Sequence, residues 1–131
     1  MKRLLRFQLV GCIVVLACCS ALARAEVVKV VVDDTIQPIT AEYISRAIDQ
    51  AARSNAQAVL IEMNTPGGLV SSTREIIDKI TSSPVPVIVY VTPTGGHAGS
   101  AGIFILESAD VAAMAPGTAA VSYTHLRAHE T

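Results

Sequence analysis

Tryptophan is absent from the 131 residues, phenylalanine and tyrosine number two and three, and charged residues make up 16% of the chain. Positive and negative charges nearly cancel, leaving a formal net charge of −1. Such a balance offers no electrostatic footprint for a nucleic-acid partner. Cysteine is scarce and confined. Cys12, Cys18 and Cys19 all fall near the start. If that segment is removed, no disulfide framework, thiol nucleophile or cysteine-bound metal remains. No His/Asp/Glu cluster suggests a metal site, and no glycine-rich loop ends in the Lys-Ser/Thr of a phosphate loop. No metal or cofactor is expected.

Long apolar runs are also lacking. The longest, Leu9 to Cys19, is too short for a comfortable membrane span. Lys2, Arg3 and Arg6 precede it, and Ala23-Arg24-Ala25 follows. A basic start, a short apolar stretch and an A-x-A site make residues 1–25 a secretory signal peptide, cleaved before Glu26. An uncleaved anchor is the alternative. A lipoprotein reading through Cys18 or Cys19 is weaker, because the residues before each fit a lipobox poorly. Removal of 1–25 leaves six Lys+Arg against eleven Asp+Glu, a mildly acidic piece. That disfavours an anionic surface as partner.

What is abundant is Val, Ile and Ala, in a chain that is 51% hydrophobic. This suits strands buried on both faces. Val27–Val32 and Ala58–Met63 read as strands, as does Val87–Val91. Val111–Ala115 reads as a fourth, short one. Thr40 is expected to cap a helix whose inner face carries Ile44, Ala47, Ile48 and Ala51. Ser72 and Glu75 fit a capping box for a second helix striped by Ile76, Ile77 and Ile80, which Pro84 and Pro86 end. Thr94 to Gly99 reads as a small-residue loop into a third helix starting near Ser100. Alternating strands and helices imply βαβ crossovers and a mostly parallel sheet. Such sheets bind ligands beyond the carboxyl ends of their strands. Gly67-Gly68 and Gly95-Gly96 both fall at that edge.

The stretch Gly95-Gly96-His97-Ala98-Gly99-Ser100-Ala101-Gly102 carries the chemistry. A serine among tiny residues at a strand-to-helix turn has an exposed hydroxyl and an unobstructed backbone. The helix start presents free N–H groups with partial positive charge. Such groups stabilise the oxyanion of an acyl-transfer intermediate. The bland alternative is a serine that only caps the helix.

Four blocks sharpen this. Asn64-Thr65-Pro66-Gly67-Gly68-Leu69-Val70, then Ser83 to Val91, then Ala98-Gly99-Ser100-Ala101-Gly102, then Met114-Ala115-Pro116-Gly117-Thr118, resemble the NfeD-like membrane-bound serine proteases of the ClpP class. The resemblance covers residues 26–121. It implies an α/β fold, the ClpP/crotonase-like spiral of ββα units with a mostly parallel sheet, incomplete at the carboxy end. It implies Ser100 as nucleophile, Gly68 and Ala101 as oxyanion N–H donors, and Gly67 allowing the loop's close approach. It further implies a hydrophobic peptide or membrane-protein substrate, a stomatin-like partner and a homo-oligomer when full length. The protein would be exported across the inner membrane and work in the periplasm or otherwise outside the cytoplasm, membrane-associated.

The family's general base is usually a lysine further along the chain, with a pKa depressed by burial. After residue 25 only Lys29 and Lys79 remain. Lys29 lies in the first strand, and Lys79, off the apolar stripe, is expected to be solvated. Neither matches the base position that the resemblance implies, which falls beyond Thr131. His125 lies at a plausible distance for a Ser-His arrangement. It belongs, however, to residues 122–131, which continue no pattern and resemble translated sequencing-adapter sequence. That tail is expected to be non-native and to pack on nothing. His97, on the serine's own loop, reads as a surface or substrate-contact residue. A crotonase-type acyl-CoA enzyme is disfavoured by the export signal. A non-catalytic binding module assisting membrane-protein assembly remains the other alternative.

Overall fold

The computed structural model describes residues 25–122. The signal peptide expected over 1–25, and the tail expected over 122–131 with His125, fall essentially outside them. Strand β1 spans Val27–Asp33, β2 Ala58–Asn64, β3 Val87–Val91, β4 His97–Gly99, β5 Val111–Met114 and β6 Ala119–Val121. The helices are α1, Pro38–Ser54, α2, Val70–Thr81, and α3, Ala101–Glu107.

Strands β1, β2, β3 and β5 form one parallel sheet in that order. Its two central strands alternate, so the burial on both faces expected from the composition holds for one face only: Leu60, Glu62, Ile88 and Tyr90 on the other face are half-buried. Val59, Ile61, Met63, Val87, Val89 and Val91 are all essentially buried. Val and Ile are stiff at χ1 and pack well on the covered face of a pleated sheet. Ile36, Ile44, Ile48, Ile76 and Ile105 close over this sheet. Each such side chain contributes roughly 1.5–3 kcal/mol by leaving water.

The chain runs through the same move four times. After β1, Ile36 makes a one-residue parallel bridge with Gly68, and α1 follows. After β2, Thr65 bridges Ala98, Gly68 completes the first bridge, and α2 follows. After β3 comes β4, then α3; after β5 comes β6. Strands β4 and β6 pair in parallel as a separate two-stranded sheet. The architecture is thus a spiral of ββα units, whose second strands shrink to single bridges in the early turns.

Three local expectations change. Thr40 does not cap α1. Gln37 is the N-cap in extended backbone, Pro38 opens the helix, and Thr40 Oγ1 accepts the Gln37 N–H at 3.4 Å from the third helical position. Proline suits a first turn, where its missing N–H would have no partner. The Ser72–Glu75 capping box does not form. The bridge at Gly68 turns the chain so that α2 starts at Val70, and Ser72 ends up buried on its inner face. Residues 94–99 are not all loop, since His97–Gly99 pair with β6.

Candidate active site

Ser100 sits between β4 and α3, at the N-cap of the helix. Its backbone has φ 45° and ψ −103°, a conformation that non-glycine residues rarely adopt. Two bonds over-determine it: Ser100 N–H donates to the Val121 carbonyl at 2.9 Å, and the Ser100 carbonyl accepts the Ile103 N–H at 3.2 Å. Strain of this kind persists where surrounding structure holds it, and it collects at functional sites. A sharp strand-to-helix turn is also how nucleophile elbows expose a serine. The side chain makes no capping hydrogen bond. The bland reading of Ser100 as a helix cap therefore fails: its hydroxyl is exposed and uncommitted to the helix it precedes.

Gly67 and Gly68 approach from the end of β2. Gly67 has φ 121°, a region closed to side chains. A Cβ there would lie 2.9 Å from Ser100 Cβ and 3.2 Å from the Gly99 carbonyl oxygen. Close approach is mutual, since a Cβ at Gly99 would lie 2.7 Å from the Pro66 carbonyl oxygen. The two glycine amides have different fates. Gly67 N–H donates to Thr65 Oγ1 at 3.2 Å. The bridge with Ile36 uses the Gly67 carbonyl and the Leu69 N–H, at 2.8 Å each. The Gly68 N–H is left without an acceptor among the described residues. The same holds for the Ala101 N–H, the first of the orphan amides at the start of α3.

Ser100, Gly68 and Ala101 line one cleft of about 310 Å³. Gly67 lies behind Ser100, outside that lining. The rest of the wall is mostly apolar, with Val70 and Ile77 from α2 and Phe104 from α3. Val70 and Phe104 are more than half exposed. Thr73 and Arg74 complete the wall. A free hydroxyl sharing a cleft with two unpaired amides is the constellation that acyl transfer needs, apart from the base that activates the hydroxyl.

The other candidates stand apart. Neither Gly95 nor Gly96 lines the cleft. Gly95 N–H donates to the Gly117 carbonyl at 3.2 Å, and the Gly96 carbonyl accepts the Ala119 N–H at 3.1 Å, so this pair builds the approach to β6. His97 is exposed and contributes backbone to β4 without lining the cleft. Lys29 Nζ donates to Glu62 Oε2 at 3.1 Å. Lys79 is not freely solvated: its Nζ donates to Asp49 Oδ1 at 2.6 Å, because α2 packs on α1. Neither lysine faces the cleft.

Two residues gained roles that spacing alone did not reveal. Asn64 Nδ2 donates to Asp33 Oδ1 at 2.8 Å, and its Oδ1 accepts the His97 N–H at 2.8 Å. Thr65 is 1% exposed, its N–H donates to the His97 carbonyl at 2.7 Å, and its carbonyl accepts the Gly99 N–H at 2.8 Å. The signal was a polar pair closing an apolar strand just before Pro66-Gly67-Gly68.

The spiral of parallel strands, with a serine at the third turn, places the protein in the ClpP fold class. ClpP1 of Listeria monocytogenes, solved as an Asn-to-Asp mutant, is 26% identical with a TM-score of 0.64, over 73% of this chain and 56% of that one. The chain belongs to the NfeD1b N-terminal domain family, whose model matches residues 26–125. It is 42% identical over 83 residues to a membrane-bound protease, PH1510, of Pyrococcus horikoshii, a match covering 63% of this chain and 19% of the relative. It is also similar to a lysine-to-alanine mutant of the 1510-N membrane-bound stomatin-specific protease, solved with a substrate peptide. That similarity is 37% identity and a TM-score of 0.72, over 80% of this chain and 48% of the other. The chain thus spans about a fifth of that curated relative and about half of that solved chain.

Proposed function

We propose that this chain is the amino-terminal part of an exported, membrane-associated serine endopeptidase that cleaves hydrophobic peptide segments through an acyl-enzyme at Ser100. One observation carries the reading. The Ser100 hydroxyl, spared from capping, shares an apolar cleft with the unpaired amides of Gly68 and Ala101. In the reaction Ser100 Oγ bonds to the scissile carbonyl carbon and passes its proton to a base. The carbonyl oxygen takes up negative charge between the two amides. The C–N bond then breaks, and the leaving amine receives the proton. Gly67 lets this loop lie against the serine. The base is a lysine beyond Thr131, as in the Ser-Lys arrangement implied by the resemblance; Lys29 and Lys79 are engaged elsewhere.

The exposed Val70 and Phe104 suit an apolar peptide, and the stomatin-specific relative supports a stomatin-like substrate or partner. Residues 1–25 direct export and leave Glu26 as the mature terminus, and the working form is a homo-oligomer. The decisive experiment is fluorophosphonate labelling of the full-length gene product. Labelling at Ser100, lost in Ser100→Ala, is expected. A full-length protein that stays unlabelled while folded would favour the non-catalytic binding module instead.

A further inference from the structure

The Thr65 side chain stands out among the buried groups. Among the described residues only Thr65, Ser72 and Thr73 are buried and polar, and Thr65 is the most enclosed at 1% exposure. A buried hydroxyl destabilises unless it is hydrogen-bonded. Thr65 spends its bonds on a single neighbour. Its Oγ1 accepts the Gly67 N–H at 3.2 Å and donates to the Gly67 carbonyl at 3.3 Å. This is a turn of the Ser/Thr type, closed by a side chain instead of backbone.

We propose that the Thr65 hydroxyl is a positioning group for the oxyanion hole: by engaging Gly67 it aims the Gly68 N–H into the cleft beside Ser100. This rests on the serine-peptidase reading above. Two adjacent amides leave the Pro66-Gly67-Gly68 turn, and only one can serve a single oxyanion from this side. The hydroxyl takes the Gly67 amide out of play. With the Gly67 carbonyl also accepting the Ile36 N–H at 2.8 Å, the peptide plane between Gly67 and Gly68 is held at its oxygen. Its nitrogen, that of Gly68, then faces the other way, where the cleft lies. The same residue registers the second half of the site. Its backbone bonds to His97 and Gly99 clamp β4, the strand that delivers Ser100. Its Cγ2 abuts α3, since a Cβ at Gly102 would lie 2.7 Å away. One residue thereby sets the distance between serine, first amide and second amide. The tolerance is small, because even a Cβ added at Gly67 would lie only 2.9 Å from Ser100 Cβ.

The test uses the full-length protein with an apolar peptide substrate and a fluorophosphonate probe. Thr65→Val keeps the shape and removes the hydroxyl. Its kcat is expected to fall about 10- to 100-fold, the scale for a misplaced catalytic element. Its KM should stay within about threefold, since the lost interaction matters only in the transition state. Thr65→Ser keeps the hydroxyl and should recover kcat to within about threefold of the parent. A folded Thr65→Val with parental kcat, or a Thr65→Ser as slow as Thr65→Val, overturns the proposal. If Thr65→Val does not fold, Thr65→Ser and Thr65→Ala make the same comparison without the methyl. A fold lost in both Val and Ala variants yet kept in Ser would make the hydroxyl a structural staple, which also overturns it. Ser100→Ala separates the two claims. If it still turns over substrate, the peptidase reading itself fails at Ser100; if it is inert and Thr65→Val is fast, only the positioning role fails.

Discussion

The four-stranded sheet and the loop pair at its carboxyl edge are stabilised by opposite means. In the sheet, residues such as Ile61, Val87 and Val89 are fully enclosed by other apolar side chains. Many contacts share the stabilisation, and no single bond direction matters. In the loops, backbones touch, and named atoms hold them: the Thr65 hydroxyl, the Asn64 amide, and glycines with no room for a Cβ. A sheet of this kind tolerates a change of shape that preserves volume. The loops do not tolerate one added carbon. The fold is thus carried by the sheet, and the proposed chemistry by the loops at its carboxyl edge.

The largest separation between the two regions is expected at Ile61. Ile61→Ala should lower stability by about 2–5 kcal/mol, and Ile61→Val by only about 0.5–1.5 kcal/mol. Urea denaturation measures both. Fluorophosphonate labelling per folded molecule should stay at the parental level. A selective loss of labelling in folded Ile61→Val would show that sheet and site are coupled more tightly than this division allows.

Gly99→Ala tests the other side. Its Cβ would meet backbone at 2.7 Å, which no rotamer can relieve. Overpacking of that sort costs about 1–3 kcal/mol. The cost here should be smaller than for Ile61→Ala, while labelling at Ser100 falls at least about tenfold, because Pro66 and Gly67 are pushed off the serine. Unchanged labelling in a folded Gly99→Ala would refute the close-approach argument.

How much of this was legible beforehand follows the same division. The three long strands declared themselves through Val and Ile runs, and α1 through Ile44, Ala47, Ile48 and Ala51 at helical spacing. These are burial signals, repeated over many residues. The second strands of the ββα units left no such trace. Ile36–Gly68 and Thr65–Ala98 are single bridges, and β4 and β6 have three residues each. No periodicity exists over one to three residues, so residues 94–99 read as loop. The helix caps misled for a related reason. Ser72 and Glu75 carry the spacing of a capping box, but the Ile36–Gly68 bridge, a long-range contact, decides where α2 begins. In the site, Ser100, Gly67 and Gly68 were legible from the glycine clusters and the family blocks. The part played by Asn64 and Thr65 was not, because the His97 N–H that donates to Asn64 Oδ1 comes from the next turn of the spiral.

Asn64 permits a smaller test of the loops. Asn64→Ala deletes the bonds to Asp33 and His97. At typical net values the pair is worth about 1–2 kcal/mol. Loss of the His97 contact should loosen β4, visible as faster amide hydrogen exchange at His97 than at Val89 in the sheet. Equal exchange changes at both positions would mean that the loop and sheet open together.

The smallest expected effects belong to the lysines. Lys29 and Lys79 each end on a carboxylate, at 3.1 and 2.6 Å, with side chains 56% and 31% exposed. Pairs of this kind contribute about 0–1 kcal/mol, so Lys29→Met and Lys79→Met should barely move the urea midpoint. Their interest is catalytic. A serine hydroxyl needs a base, and a lysine can serve only when desolvated and close to the hydroxyl. Lys29 lies on the edge strand of the sheet, and Lys79 lines a different groove, with Ser45, Asp78 and Ser82. Each is held in an ion pair, and neither lines the cleft that holds Ser100. In the full-length protein, both variants should therefore label at Ser100 at the parental rate, while replacement of the lysine proposed as base should abolish labelling. A loss of labelling in Lys79→Met, with the fold intact, would place the base inside this chain and require α2 to turn its outer face toward the serine.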